Sequence, residues 1–234
     1  MMLMRKIAAH LPVSWEHALR RSNQRRQIRR GTFETWEPEY HLLEQFTAEG
    51  AWVIDVGANV GYYTNKFSDI VGPRGRVFAI EPVPETFSFL ASNVLLFRHR
   101  NVTLLNFAVS DSAHEVRMDV PVDAAGLRDY FGAAITDADR GVPVQAIALD
   151  SLDLPRRIAV LKIDSEGHDD AVLAGAFALL EHDHPTLIVE EPSDAMAKRL
   201  LQLEYTRETV PGSYNALFRW HPTTALRLSG AGRR

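Results

Sequence analysis

"VIDVGANVGYYT", residues 53–64, places a carboxylate two residues ahead of a glycine loop, where an apolar run ends. A short apolar run rich in β-branched residues ends in a carboxylate, Asp55, and passes into a glycine loop that opens a helical pattern. Strand, glycine loop and helix in that order begin a nucleotide-binding α/β unit. The pyrophosphate of a dinucleotide would be repelled by Asp55, whereas a ligand carrying positive charge would be attracted. The loop also lacks the G-x-G-x-x-G order of a dehydrogenase, because Asn59 stands where the second glycine should be. Gly57 permits the turn and a close backbone approach, and Gly61 opens the helix.

Outward from that loop, apolar runs alternate with helical patterns. "RVFAIEP" (76–82), "NVTLLNFAVS" (101–110), "IAVLKID" (158–164) and "TLIVEE" (186–191) read as further core strands. Helices are expected in "GYYTNKFSDIV", in "PETFSFLASNVLLF" with Pro84 in its first turn, after Asp164, and near 193–203. The helix after Asp164 sets Val172, Ala176, Leu179 and Leu180 on one face. "HEVRMDVPV" and "VPVQAIALDSL" alternate apolar and polar residues, which marks antiparallel or edge strands around a loop at 123–141. "YTRETV" and "NALFRW", joined by "PGSY", form a candidate closing hairpin. The expectation is an α/β, Rossmann-like fold: a mostly parallel sheet, helices on both faces, and a C-terminal antiparallel hairpin.

In such sheets ligands sit beyond the carboxyl ends of the strands. Acid or amide groups fall there on all five core strands: Asp55, Glu81, Asn106, Asp164, and the pair Glu190 and Glu191. Glu81 stands 20 residues past Gly61 and directly before Pro82, which holds it extended. An acid at the end of the second strand accepts hydrogen bonds from both ribose hydroxyls of an adenosine. Asp55 can then face an ammonium group on the same ligand. A nucleoside joined to an amino acid, without phosphate, is S-adenosylmethionine (SAM).

"VIDVGANVGYYT", "FAIEPVPETFSFL", "LLNFAVSD" and "LKIDSEGHDDAVLAGA" together resemble the FkbM-type methyltransferases, which are class I SAM-dependent enzymes. The likeness runs from "WEPE" (36–39) to "LIVEE" (187–191), and the "KIDSEG" segment is its family-specific part. The resemblance implies methyl transfer, mostly to hydroxyl oxygens of sugars, polyketides or other secondary metabolites, with a small-molecule or glycoside acceptor as partner. It matches Asp55, Gly57, Asn59, Gly61 and Glu81 to the SAM site, with Asn106 and Ala108 near the adenine. His168 stands where family members more often carry an aromatic residue.

A sugar or alkyl hydroxyl is a poor nucleophile, so a base or a metal must remove its proton. Asp164 ends the fourth core strand, and Glu166 and His168 follow at the entrance of a helix, so these three are the catalytic candidates. A helix N-terminus disfavours imidazolium and would keep His168 neutral. The carboxylates Asp164, Glu166, Asp169, Asp170, Glu190 and Glu191 offer hard oxygen ligands for Mg2+, with Asp164 and Glu190 the favoured pair.

Composition bounds the rest. The chain has 234 residues, 46% of them hydrophobic, and no cysteine, which excludes disulfides and thiolate sites and suits a reducing cytoplasm. No stretch approaches a membrane span, and the N-terminus lacks a signal-peptide core. The net charge of −4 conceals an asymmetry: residues 1–31 hold eight basic residues against Glu16 alone, a net of +7 that leaves −11 for the remainder. Residues 1–45 read as a basic helical arm and 46–234 as the methyltransferase domain. The charge of the arm fits nucleic acid, an anionic membrane surface or an acidic substrate, as well as packing on its own acidic body or on a second subunit. A nucleic-acid methyltransferase is the alternative that would use the arm. Against amino-directed chemistry, the place of an Asn/Asp-Pro-Pro-aromatic loop reads "DSEG". A SAM-binding protein without turnover and an NAD dehydrogenase are the other classes. The intact Asp164 region argues against the first, Asp55 and the missing glycine against the second.

Overall fold

The computed structural model describes residues 12–124, 126–136, 138, 141–190 and 192–222. The arm residues 1–11, with Arg5 and Lys6, and the strand-end acid Glu191 lie outside the described residues. Seven strands form the main sheet: β1 (Trp52–Val56), β2 (Arg76–Ile80), β3 (Val102–Leu105), β8 (Val160–Ile163), β9 (Thr186–Val189), β10 (Tyr205–Thr209) and β11 (Ala216–Trp220). Their spatial order is β10-β11-β9-β8-β1-β2-β3. β3, β2, β1, β8 and β9 run parallel, and β11 enters antiparallel between β9 and β10. This is the mostly parallel sheet with a closing antiparallel hairpin that the sequence pattern predicts.

Alternation along the central strands sends apolar side chains to both faces. Ile54, Leu161, Ile163, Leu187 and Val189 pack under α4 (Asp169–Ala174), α5 (Phe177–Asp183) and α6 (Asp194–Gln202). Val53, Val77, Val160 and Ile188 pack under α2 (Tyr62–Val71) and the short 3-10 helix Pro38–Gln45. On that second face α3 (Pro84–Val94) covers Ala79. The basic helix α1 (Val13–Arg30) lies against α3: Arg21 donates to Ser88 O at 3.1 Å and Asn93 donates to Gln24 Oε1 at 3.1 Å. Gly31 ends α1 in the left-handed region, φ 67°, its N–H reaching back to Ile28 O.

Two elements differ from the sequence reading. The run 101–110 is not one strand. It splits into β3 and β4 (Ala108–Val109), and β4 joins a second sheet in the order β4-β7-β5-β6 with β5 (His114–Asp119), β6 (Ala134–Thr136) and β7 (Val142–Ile147). Asn106 is the reason: its amide donates to the carbonyls of Glu81 and Pro82 at 2.8 and 3.1 Å, which pins the chain beside the end of β2 and turns it out of the sheet. The helix after Asp164 is also broken, into α4 and α5, at Gly175. A Cβ there would lie 2.1 Å from Ser110 O, so the close approach requires glycine. The predicted apolar face survives the break, since Val172, Ala176, Leu179 and Leu180 are all buried.

Candidate active site

The glycine loop turns three times through the left-handed region, at Gly57 (φ 72°), Asn59 (φ 49°) and Gly61 (φ 101°). Gly57 and Ala58 donate their N–H groups to Ile80 O at 3.0 and 2.9 Å, locking the loop to β2. A Cβ on Gly57 would fall 1.8 Å from Asp164 O, so glycine is required where the loop meets the end of β8. Beyond these strand ends opens a cavity of about 690 Å3.

Of the predicted residues, Asp55, Gly57, Asn59, Glu81, Ala108, Asp164, Glu166 and Glu190 line that cavity. Gly61 lies below it, in the turn against Leu90. Asn106 is exposed beside the end of β2, outside the lining, where its amide is spent on two backbone carbonyls. His168 is also outside the lining: it caps α4, half-buried, with Nε2 3.0 Å from Ser110 Oγ. Burial lowers the pKa of its imidazole, as expected for a neutral ring, but the ring serves the loop after β4 and not the cavity.

Glu81 is buried, with Oε2 accepting from Asn59 N at 3.0 Å and Oε1 from Val83 N at 2.9 Å. Burial pushes its carboxyl up to about 7; the two N–H bonds oppose that and Asp55 adds to it. Asp55 is fully buried, and Oδ2 accepts from Thr64 Oγ1 at 2.6 Å. Its Oδ1 has no hydrogen-bond partner among the described residues. Burial raises this carboxyl also, against the pull of Lys162 and Thr64.

Lys162 escaped the sequence reading. It is 1% exposed and pairs in register with Asp55 in the neighbouring strand. Its Nζ donates to Asp164 Oδ2 at 3.0 Å, stands 3.9 Å from Asp55 Oδ1, and lies 4.6 Å from the centre of the Tyr63 ring. Burial alone would depress this ammonium, but Asp164 and Asp55 outweigh it and the pKa is raised. A signal for it existed. A lysine inside the otherwise apolar "IAVLKID" strand is buried on both faces and demands an acid partner.

Glu166, at φ 50°, faces the cavity from the turn after β8. Its carboxyl is pushed up to about 7 by burial first, then by Asp164 and Glu190. Glu37 reaches the same cavity from the segment before the 3-10 helix, its carboxyl likewise raised by burial. The far wall is aromatic. Phe131 stacks on Tyr62 with centroids 6.4 Å apart, and Tyr130 O accepts from Asn59 Nδ2 at 3.1 Å. Tyr130 Oη donates to Glu85 at 3.0 Å and lies 3.2 Å from His17 Nε2 of α1. These contacts between distant segments had no local sequence signature.

A Mg2+ site on Asp164 and Glu190 is not supported. Among the described residues no three carboxylate or imidazole groups converge as metal ligands, and the Lys162 ammonium already occupies Asp164 Oδ2. SAM, by contrast, suits what is present: among the described residues Asp55 Oδ1 is buried without a hydrogen-bond donor, Glu81 lines the same cavity, and Lys162, a cation in that lining, is already held between Asp164 and Asp55.

The comparisons agree with that reading. The model of the methyltransferase FkbM domain matches residues 55–206. Two curated relatives are protein-L-isoaspartate O-methyltransferases. That of Methanothrix thermoacetophila is 28% identical over 109 residues, covering 44% of this chain and 52% of the relative. That of Triticum aestivum is 34% identical over 104 residues, covering 42% and 43%. The chain thus spans about half the length of the curated relatives it matches. A solved FkbM methyltransferase from Methylobacillus flagellatus KT superposes with a TM-score of 0.53 at 14% identity, over 74% of this chain and 44% of that one, which shows a shared fold.

Proposed function

This chain belongs to the FkbM family of SAM-dependent methyltransferases, and on that premise we propose that it methylates a hydroxyl oxygen of a small-molecule acceptor, such as a sugar, a polyketide or another secondary metabolite. The observation that carries the reading is the placement of Glu166, from the turn after β8, on the wall of the cavity that Asp55 and Glu81 also line. SAM, when bound, supplies a methyl group already activated on a positively charged sulfur. Asp55 would hold its ammonium group and Glu81 its ribose hydroxyls. What a hydroxyl acceptor still needs is a base of near-neutral strength. Glu166 takes that proton at its carboxylate, while Asp164, fastened by Lys162, shapes the floor beside it.

The relatives named for isoaspartate point to a carboxylate acceptor instead. Glu37, Glu166 and Glu190 on the cavity wall would repel such an anion, which favours a neutral acceptor. With no cysteine in the chain, a reducing cytoplasm is the proposed setting. The test is S-adenosylhomocysteine release from SAM with a panel of glycosides and polyols beside isoaspartyl peptides. Turnover is expected with hydroxyl acceptors alone. Glu166→Gln should lower kcat on the order of 10²-fold with S-adenosylhomocysteine affinity nearly unchanged. Methylation of isoaspartyl peptide, or full activity in Glu166→Gln, overturns the assignment.

A further inference from the structure

The inward and outward faces of α1 are different surfaces. At about 100° per residue, Glu16, His17, Arg20, Gln24, Gln27 and Ile28 fall on one side of the helix. That side is engaged: Arg20 Nε donates to Glu16 at 2.8 Å and its guanidinium covers the Tyr130 ring at 5.1 Å, and Ile28 packs toward Phe89. The opposite stripe, about 100° wide, carries Trp15, Leu19, Ser22, Arg26, Arg29 and Arg30, with Arg25 at its margin. Trp15 is 64% and Leu19 58% exposed, one turn apart. Arg25, Arg26, Arg29 and Arg30 are all exposed, and among the described residues none makes a hydrogen bond or ion pair.

We propose that this outward face of α1 docks on an anionic phospholipid surface, with Trp15 and Leu19 entering the headgroup boundary and the four arginines against the lipid phosphates. Two exposed apolar side chains at one end of the stripe and four exposed arginines along it, unpaired among the described residues, offer insertion at the headgroup boundary and attraction to the lipid phosphates. Nucleic acid would use the arginines but has no place for an exposed Trp15–Leu19 pair, and the acidic cavity would repel its backbone. A parallel twofold pairing of α1 with a second copy would set the arginines against one another. Attachment would be peripheral: among the described residues no helix is long and apolar enough to cross a membrane. Because the inner side of the same helix holds Tyr130, docking would bring the cavity wall beside the lipid surface.

The experiment is co-sedimentation of the full chain with phosphatidylcholine vesicles, with and without about one third phosphatidylglycerol. Binding at least tenfold tighter to the anionic vesicles, weakened at least tenfold by raising salt from about 0.1 to 0.5 M, is expected. The combined change Arg25→Gln, Arg26→Gln, Arg29→Gln and Arg30→Gln should lose that preference while S-adenosylhomocysteine binding persists. Trp15→Ser with Leu19→Ser should weaken binding severalfold without changing its salt dependence. If the four-arginine variant fails to fold, the salt series on the native chain and the Trp15/Leu19 variant still decide. Equal binding to neutral vesicles, no binding to anionic ones, arginine-dependent capture of an RNA duplex without vesicle binding, or a dimer lost in the four-arginine variant without vesicle binding would each overturn the proposal.

Discussion

Lys162 does for this site what its neighbours cannot do for themselves. Asp55 and Asp164 stand at the ends of adjacent strands, the first fully buried and the second partly open to the cavity. Without Lys162 the two carboxylates would face each other with no cation between them. Removing one member of such a cluster leaves a buried charge uncompensated, which costs about 3–5 kcal/mol. Lys162→Met should therefore lower unfolding stability in urea by about that amount. Adding Asp164→Asn should restore at least about 1 kcal/mol, because the charge it strands is then removed as well. Additive losses would show that the lysine packs without pairing. At this scale the sequence displays the strand-end acids clearly, since a carboxylate closing an apolar run has few structural reasons to be there. It hides the partner, because Asp55 and Lys162 meet across strands more than a hundred residues apart. For the same reason His168 looked like a base from its helix N-terminus, while its ring turns to Ser110.

Among elements, legibility follows how local the cause is. The alternation of strands and helices, the glycine loop and the closing hairpin are written in periodicity and turn residues, and all are present. The break of the third run into β3 and β4 depends on Asn106 reaching the end of β2, and the break between α4 and α5 on Ser110 beside Gly175. Both are contacts between elements, which no window along the chain contains. The glycine loop joins the two kinds of cause. Gly57 is visible as a turn residue, yet the obstacle to replacing it is the carbonyl of Asp164 at the end of β8. Gly57→Ala must adopt φ near 72° and displace that carbonyl, combining left-handed strain with overpacking. A loss of about 2–5 kcal/mol in denaturant unfolding is expected, together with loss of S-adenosylhomocysteine binding by calorimetry. Wild-type stability and binding in this variant would mean that β1 and β8 do not close as described.

Across the whole molecule, acids gathered at one end of the sheet link stability to pH. Glu81 carries the sharpest case: buried, and raised from 4.5 to about 7. A raised acid means that the folded chain holds a proton the unfolded chain has released. Its contribution to stability is thus full below about 4.5 and is lost as pH rises through about 7. The difference corresponds to up to about 3 kcal/mol for this one group. Glu166, more open to water, adds a smaller change of the same sign. The ligand-free protein should therefore lose stability between about pH 4.5 and 7.5 relative to Glu81→Gln, which has no such proton to give up. Denaturant unfolding of both chains across that range isolates the effect, because every other titrating group is common to them. The same ionisation improves Glu81 as an acceptor for ribose hydroxyls. S-adenosylhomocysteine should then bind more tightly as pH rises from about 6 to 7.5 in the native chain, with little change in Glu81→Gln. Parallel stability curves for the two proteins would place the Glu81 proton elsewhere and remove the link between the acidic end of the sheet and cofactor binding.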